Sequence, residues 1–306
     1  MLIPPEQLYT LESDLPELGS PVLVELLDGF IDAGAARRLA REHLVEAGPS
    51  QLIARFDADV LHDYRARRPP MLFVEDHWES YDRPALEIRL LHDAGGTPFL
   101  VLVGPEPDVL WERFTAAVQQ LVDRLGVRLV IGTNAIPMAV PHTRPVGLTA
   151  HASRKELLEG YPPWIGSVQV PGSAGHLLEH RLAESGHASM GFAVHVPHYL
   201  AQAAYPPAGE ALLTAVARAG GLTLSLDALV EAGREAQQSI AGLVAQSEEL
   251  GELVATLETQ YDTLVASRPG GALGAAGPLP TADELGAELE RYLADQAKRR
   301  GDDQRG

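Results

Sequence analysis

The residues best suited to chemistry stand where apolar runs give way to polar, glycine-rich stretches. Asp28, Gly29, Asp32 and Gly34 follow one apolar run, in LDGFIDAG. Glu106 follows a second run, in GPEPD, and Asn134 a third, in GTNA. His195 and His198 follow a fourth, in HVPHY, while Arg144 and His151 lie in RPVGLTAHAS. In an open parallel sheet, ligands bind beyond the carboxyl ends of the strands, so residues that follow strands are the natural lining of a cleft. Free amides at a helix start beside Asp28–Gly34 could hold an anion or polar ligand, and two carboxylates there could serve as acid and base. Plain structural roles compete. Gly29 suits a tight turn and Asp32 suits a helix cap, and these roles are preferred because neither GxGxxG nor GxxxxGK[ST] occurs. His195 and His198 have HxxH spacing, but Pro197 interrupts it and no acidic third ligand stands at motif distance, so structural imidazoles are preferred over a metal site. No GxSxG elbow supports a triad built from Ser153 and His151. No catalytic set, cofactor motif or metal motif is complete.

The elements that must position these residues read as α/β. Residues 21–27 (PVLVELL), 52–56, 85–92, 98–103, 127–131, 165–170 and 190–195 read as strands. Residues 85–92 and 98–103 are joined by DAGG and can form a hairpin. Helical periodicity covers 33–47, 107–125, with Asp108 as its expected cap, and 176–184. Strands joined by helices of this length imply a mainly parallel sheet covered on both faces, a three-layer α/β/α core over residues 1–226.

From Asp227 the pattern changes. Ile240, Leu243, Leu250, Val254, Leu257, Tyr261 and Leu264 belong to a heptad seam in residues 227–267. Uninterrupted, this helix would run roughly 55 Å at about 1.5 Å per residue. It is expected to need a second subunit, or to break at Gly242 or Gly251 and fold back; a bent helix packed on its own body is equally open. Residues 268–280 (RPGGALGAAGPLP) read as a flexible linker, and 281–306 as a short charged helix, started by a Thr281/Glu284 capping box, with a mobile tail.

Composition narrows the classes. The chain has 306 residues, 45% of them hydrophobic, and a formal net charge of −18. Such a charge repels nucleic acid and anionic membrane surfaces unless a local patch outweighs it. The best patch, Arg65, Arg67 and Arg68, is short and reads as a solvated turn before Pro69-Pro70. No apolar run reaches the roughly 18–20 residues of a membrane span. There is no cysteine, and the first twenty residues hold four acids and no Lys or Arg, unlike a secretory signal, so a cytoplasmic protein is expected.

Taken together, LDGFIDAG (27–34), GPEPDVLWERF (104–114), residues 125–130 with NAIP (134–137), RPVGLTAHAS (144–153) and AVHVPHYLAQAAY (193–205) resemble the proteasome assembly chaperone 2 family, particularly its actinobacterial members. The resemblance spans roughly residues 19–229. It implies a fold similar to nucleoside phosphorylases, self-association with a trimer favoured, and proteasome subunits as possible partners. Some archaeal and eukaryotic relatives end in a hydrophobic–Tyr–any-residue tail that docks on the proteasome ring; residues 302–306 here read DDQRG. The leading expectation is therefore a non-catalytic assembly or scaffold protein. The alternative is an enzyme or sensor for a nucleoside or phosphorylated metabolite, using the strand-end cleft.

Overall fold

A computed structural model describes residues 3–46, 48–161 and 167–266. In chain order the elements are β1 (Tyr9–Leu11), β2 (Val22–Asp28), α1 (Ala36–Glu46), β3 (Gln51–Phe56), α2 (Ala58–Leu61), β4 (Met71–Val74), β5 (His77–Tyr81), β6 (Glu87–His92), β7 (Pro98–Pro105), α3 (Trp111–Arg124), β8 (Leu129–Met138), β9 (Leu148–Ala152), α4 (Ala174–Glu184), β10 (Ser189–Pro197), α5 (Pro206–Gly220), α6 (Asp227–Ala245) and α7 (Glu248–Ala266). Eight strands form one mixed sheet in the order β1-β3-β6-β7-β2-β8-β10-β9, while β4 and β5 form a separate two-stranded ribbon. β7, β2, β8 and β10 are the parallel centre. Antiparallel strands extend it on both sides, including the expected β6–β7 hairpin.

Side-chain alternation along β2 builds both layers at once. Val22, Val24 and Leu26 face the core under α1 and α5, whereas Leu23 and Leu27 face the core under α3 and α4. On α3, Phe114, Ala117, Val118, Leu121 and Val122 are buried, the spacing of one helical stripe. α5 starts on Pro206-Pro207, where missing amides are harmless, and ends at Gly221 in the left-handed conformation. The α/β/α expectation thus holds, with an eight-stranded mixed sheet as its middle layer.

Several local expectations are corrected. Residues 33–35 form a short 3-10 turn, and the helix proper begins at Ala36. Asp108 does not cap α3; Leu110, in the left-handed region, precedes it, and Asp108 pairs instead with Arg67 at 2.8 Å. Of the strand expected over 165–170, residues 165–166 lie outside the described residues and 167–170 are irregular: Val168 and Val170 alternate as a strand would, but both are exposed and no strand among the described residues pairs with them. The C-terminal helical stretch breaks at neither Gly242 nor Gly251. It breaks at Gln246–Ser247, where the Ser247 hydroxyl accepts from the Leu250 amide and starts a new helix. That break lets one chain cover most of the seam. Ile240, Val254 and Leu257 are buried, Leu250, Tyr261 and Leu264 are half-buried, and Leu243 is 61% exposed. Of the readings left open, the bent helix packed on its own body is the one the structure shows, with Leu243 left uncovered. Residues 268–306, with the expected linker and charged helix, lie outside the described residues.

Candidate functional site

The strand-end cleft is built around a carboxylate that the sequence places in an apolar run. Glu25 lies mid-strand in β2 and is 3% exposed. A buried ionised carboxylate needs a cation and hydrogen-bond donors. Arg37, on the first turn of α1 and itself buried, supplies the cation at 2.8 Å, and the Leu27 amide donates to Glu25 Oε1 at 2.9 Å. Desolvation raises the Glu25 pKa, opposed by Arg37. The neighbouring strand is fastened to the same residue, since the Thr133 hydroxyl donates to the Glu25 carbonyl at 2.6 Å.

A second pair lies beside the first. Register aligns His151 of β9, Gly191 of β10 and Gly132 of β8 in one row across three strands. The two glycines leave a trough in the sheet surface. A Cβ at Gly132 would collide with Glu179 Oε1, and one at Gly191 would stand 2.7 Å from it. Glu179, from α4, lies over this trough and meets His151 Nε2 at 2.7 Å. Burial lowers the His151 pKa, but the Glu179 carboxylate outweighs it, so the net shift is upward.

The rim is equally occupied. Ser173 caps α4 by accepting from the His176 amide, and Glu106 Oε1 accepts from the Ala174 amide at 2.6 Å. Asn134 Nδ2 donates to His176 Nε2 at 2.9 Å. The buried Nδ1 of His176 and Nε of Arg37 lack a partner among the described residues. The cavity left between these groups is about 10 Å³, at the lower limit for a single water. Outside it lies an open groove of about 510 Å³, walled by Trp111, Val170 and Leu177, with His151, Ser173 and His176 on its polar side.

Of the residues expected in the cleft, Gly29, Glu106, Asn134 and His151 line it. The others do not converge there. Asp28 is exposed and paired with Arg41 at 2.6 Å. Asp32 accepts from the Arg37 and Arg38 amides at 2.8 and 3.0 Å, the capping role. Gly34, with φ +66, exchanges main-chain hydrogen bonds with Ala201 and Tyr205. His195 is buried against Thr149, with Oγ1 and Nε2 at 2.9 Å, and desolvation pushes its pKa down to about 4. His198 is exposed beside the Tyr199 ring. Arg144 reaches the other way and clasps α7 through Glu258 and Asp262. Sequence reasoning missed Glu25, Arg37, Thr133, His176 and Glu179.

Among the described residues, the cleft shows no activated nucleophile. Thr133 and Ser173 spend their hydroxyls on the backbone. A Ser185–His187–Asp123 string exists, with distances of 2.9 and 2.8 Å, but the Ser185 hydroxyl also donates to the Arg181 and Leu182 carbonyls at the end of α4. That is a helix-end role. Among the described residues, no group of three or more His, Asp or Glu side chains is placed to hold a metal, and no helix is long and apolar enough to cross a membrane.

The sequence profile of the PAC2 family matches residues 26–244. The chain belongs to the PAC2 family. Solved relatives of this PAC2 chain share its fold over most of their length. A Mycobacterium tuberculosis protein of unknown function is 50% identical, with TM-score 0.82, covering 88% of this chain and 93% of that one. A Corynebacterium glutamicum protein of unknown function is 38% identical, with TM-score 0.82, covering 86% and 100%. A Mycobacterium tuberculosis proteasome-assembly chaperone homologue is 25% identical, with TM-score 0.70, covering 76% and 99%. None of the curated proteins matches the chain. The matched span takes in every residue of the PAC2 cleft except Glu25, which lies one position before it.

Proposed function

We propose that this PAC2-family chain is a non-catalytic assembly protein that self-associates and acts on other proteins, with proteasome subunits the partner class to test first. One observation carries the reading. Beside the carboxyl ends of β2 and β7, marked by Gly29 and Glu106, a catalytic α/β protein would hold its substrate; here the Glu25–Arg37 and His151–Glu179 pairs occupy the adjoining sheet face and leave about 10 Å³. A nucleoside would have to break both pairs to enter. The partner class is supported by the proteasome-assembly chaperone homologue among the relatives. The trimer rests on the family resemblance, and the cytoplasmic setting on the cysteine-free sequence.

Size-exclusion chromatography with light scattering, combined with capture on purified proteasome α-subunits, tests the proposal. An oligomer at micromolar concentration that retains α-subunits is expected. A strict monomer that retains none overturns it.

A second reading has one observation in its favour. The outer groove, about 510 Å³, is in the range of small-ligand sites and borders two imidazoles. A thermal-shift screen with nucleosides, nucleotides and inorganic phosphate decides it, and the absence of any rise in melting temperature removes it.

A further inference from the structure

Two buried donors of the cleft are left over once its pairs are made. Asn134 Oδ1 accepts from the Ala135 amide at 2.9 Å, which fixes the side-chain amide so that its Nδ2 donates to His176 Nε2. That ring nitrogen is therefore an acceptor, and the neutral imidazole carries its proton on Nδ1. Nδ1 is buried and meets no acceptor among the described residues. Arg37 is 8% exposed and spends its Nη2 on Glu25 at 2.8 Å, while its Nε, equally buried, meets none either. Buried donors are nearly always paired, and leaving one unpaired is costly. Both residues line the inner cavity, whose volume of about 10 Å³ suits one oxygen atom.

The outer groove opens onto this cavity, because His151, Ser173 and His176 line both. Its far walls are apolar. Trp111 donates its indole N–H to the Pro107 carbonyl at 2.6 Å, which holds the ring in place and uses up its polar atom. The segment that carries Val170 runs close past this ring: a Cβ at Gly172 would lie 3.9 Å from it. Val170 and Leu177 complete the apolar side, and the groove's volume of about 510 Å³ has room for a small organic molecule.

We propose that this groove binds a neutral, apolar molecule bearing a carbonyl, its oxygen seated in the inner cavity and its body against Trp111. The proposal rests on the second reading above and names the ligand class for that groove. A carbonyl oxygen offers two lone pairs, enough for both leftover donors, and brings no donor of its own. Charge argues against an anion. Glu25, Glu106 and Glu179 already stand at the cavity against Arg37 and His151, so a carboxylate or phosphate would add negative charge to a site where acids outnumber cations. With no activated nucleophile beside it, the site holds its ligand without transforming it.

Isothermal titration calorimetry on the full-length chain tests it, with 2-naphthamide, 2-naphthoate, adenosine and inorganic phosphate as probes. The amide and the acid share one apolar body and differ in charge. Naphthamide is expected to bind saturably at one site per chain, and naphthoate at least about tenfold more weakly. Val170→Trp fills the groove from an exposed wall, so it should abolish binding at an unchanged melting temperature. His176→Phe keeps a ring but removes the Nδ1 proton, and should weaken naphthamide about tenfold, the worth of one hydrogen bond. Naphthoate, adenosine or phosphate binding as tightly as naphthamide, or more tightly, overturns the carbonyl assignment and leaves a small-ligand groove standing. Undiminished naphthamide affinity in either variant places the amide elsewhere and also overturns the proposal. No binding of any probe overturns the proposal and the second reading together.

Discussion

The strand-end cleft and the β4–β5 ribbon are opposite solutions in one chain. The cleft gathers residue types that can do chemistry, and nearly all their capacity is taken: Glu25 with Arg37, Glu179 with His151, Asn134 with His176, Glu106 with the start of α4, which leaves Arg37 Nε and His176 Nδ1 without a partner among the described residues. The ribbon carries an apolar strand, Met71–Val74, that stays exposed, and Phe73 packs on Trp78 of the return strand. Reactive side chains mark a site only where some of their bonding capacity is left over. By that measure the larger unmet demand on this molecule is apolar and lies outside the sheet. If the comparison is right, damage to the cleft should be read out as lost folding stability, and damage to the exposed ribbon should leave stability nearly unchanged.

The largest effect should come from Glu25→Gln. It leaves the Arg37 guanidinium buried beside a neutral amide, and removing one partner of a buried pair costs about 3–5 kcal/mol. Glu25→Gln/Arg37→Met removes both charges and should recover most of that loss. Urea unfolding measures both. If Glu25→Gln unfolds at the wild-type midpoint, the pair is not what closes the cleft, and the room for a ligand must be reconsidered.

The next effect depends on pH. Burial holds the folded pKa of His195 at about 4, while an unfolded imidazole titrates near 6.5. Between those values the unfolded chain binds more protons. Stability therefore falls as pH drops from about 6.5 toward 4, by roughly 3 kcal/mol over the full window. His142, also lowered by burial, adds the same sign. His151 acts oppositely: its raised pKa contributes stability that is complete below 6.5 and lost as pH rises through the folded value. His195→Gln should flatten the acid side of the melting-temperature profile and leave the His151 slope above 6.5 intact. An unchanged acid side would show that His195 is not buried neutral.

Legibility in the sequence followed the range of the interactions. The central strands and α3 could be read because their burial writes a local period, as in residues 114, 117, 118, 121 and 122. The start of α7 was also written locally, in Ser247 followed by Glu248 and Glu249, a cap and an acidic first turn; glycine was the wrong breaker to look for. Glu25 was visible as an acid centred in VLVELL, and such a residue demands a cation, but nothing local names Arg37. Glu179 and His151 meet only because Gly132 and Gly191 align across β8 and β10, a fact of register. The ribbon hid for the opposite reason: exposed on both faces, it has no burial period to read.

The smallest effect sharpens the comparison by moving the cleft's chemistry into water. Arg144 makes two ion pairs with α7, to Glu258 at 3.1 Å and Asp262 at 2.7 Å, more charge contacts than Arg37 makes with Glu25. Yet Arg144 is about a third exposed and Asp262 more than half, so water competes for every bond. Exposed pairs are worth about 0.2–1 kcal/mol. Arg144→Ala should therefore lower stability by less than about 1 kcal/mol, and added salt should shrink the difference. The effect should concentrate in α7, as faster hydrogen exchange there than in α6, which packs on α5. A loss as large as that of Glu25→Gln would mean that α7 is anchored chiefly by charge, and that the buried Val254 and Leu257 do little to hold it.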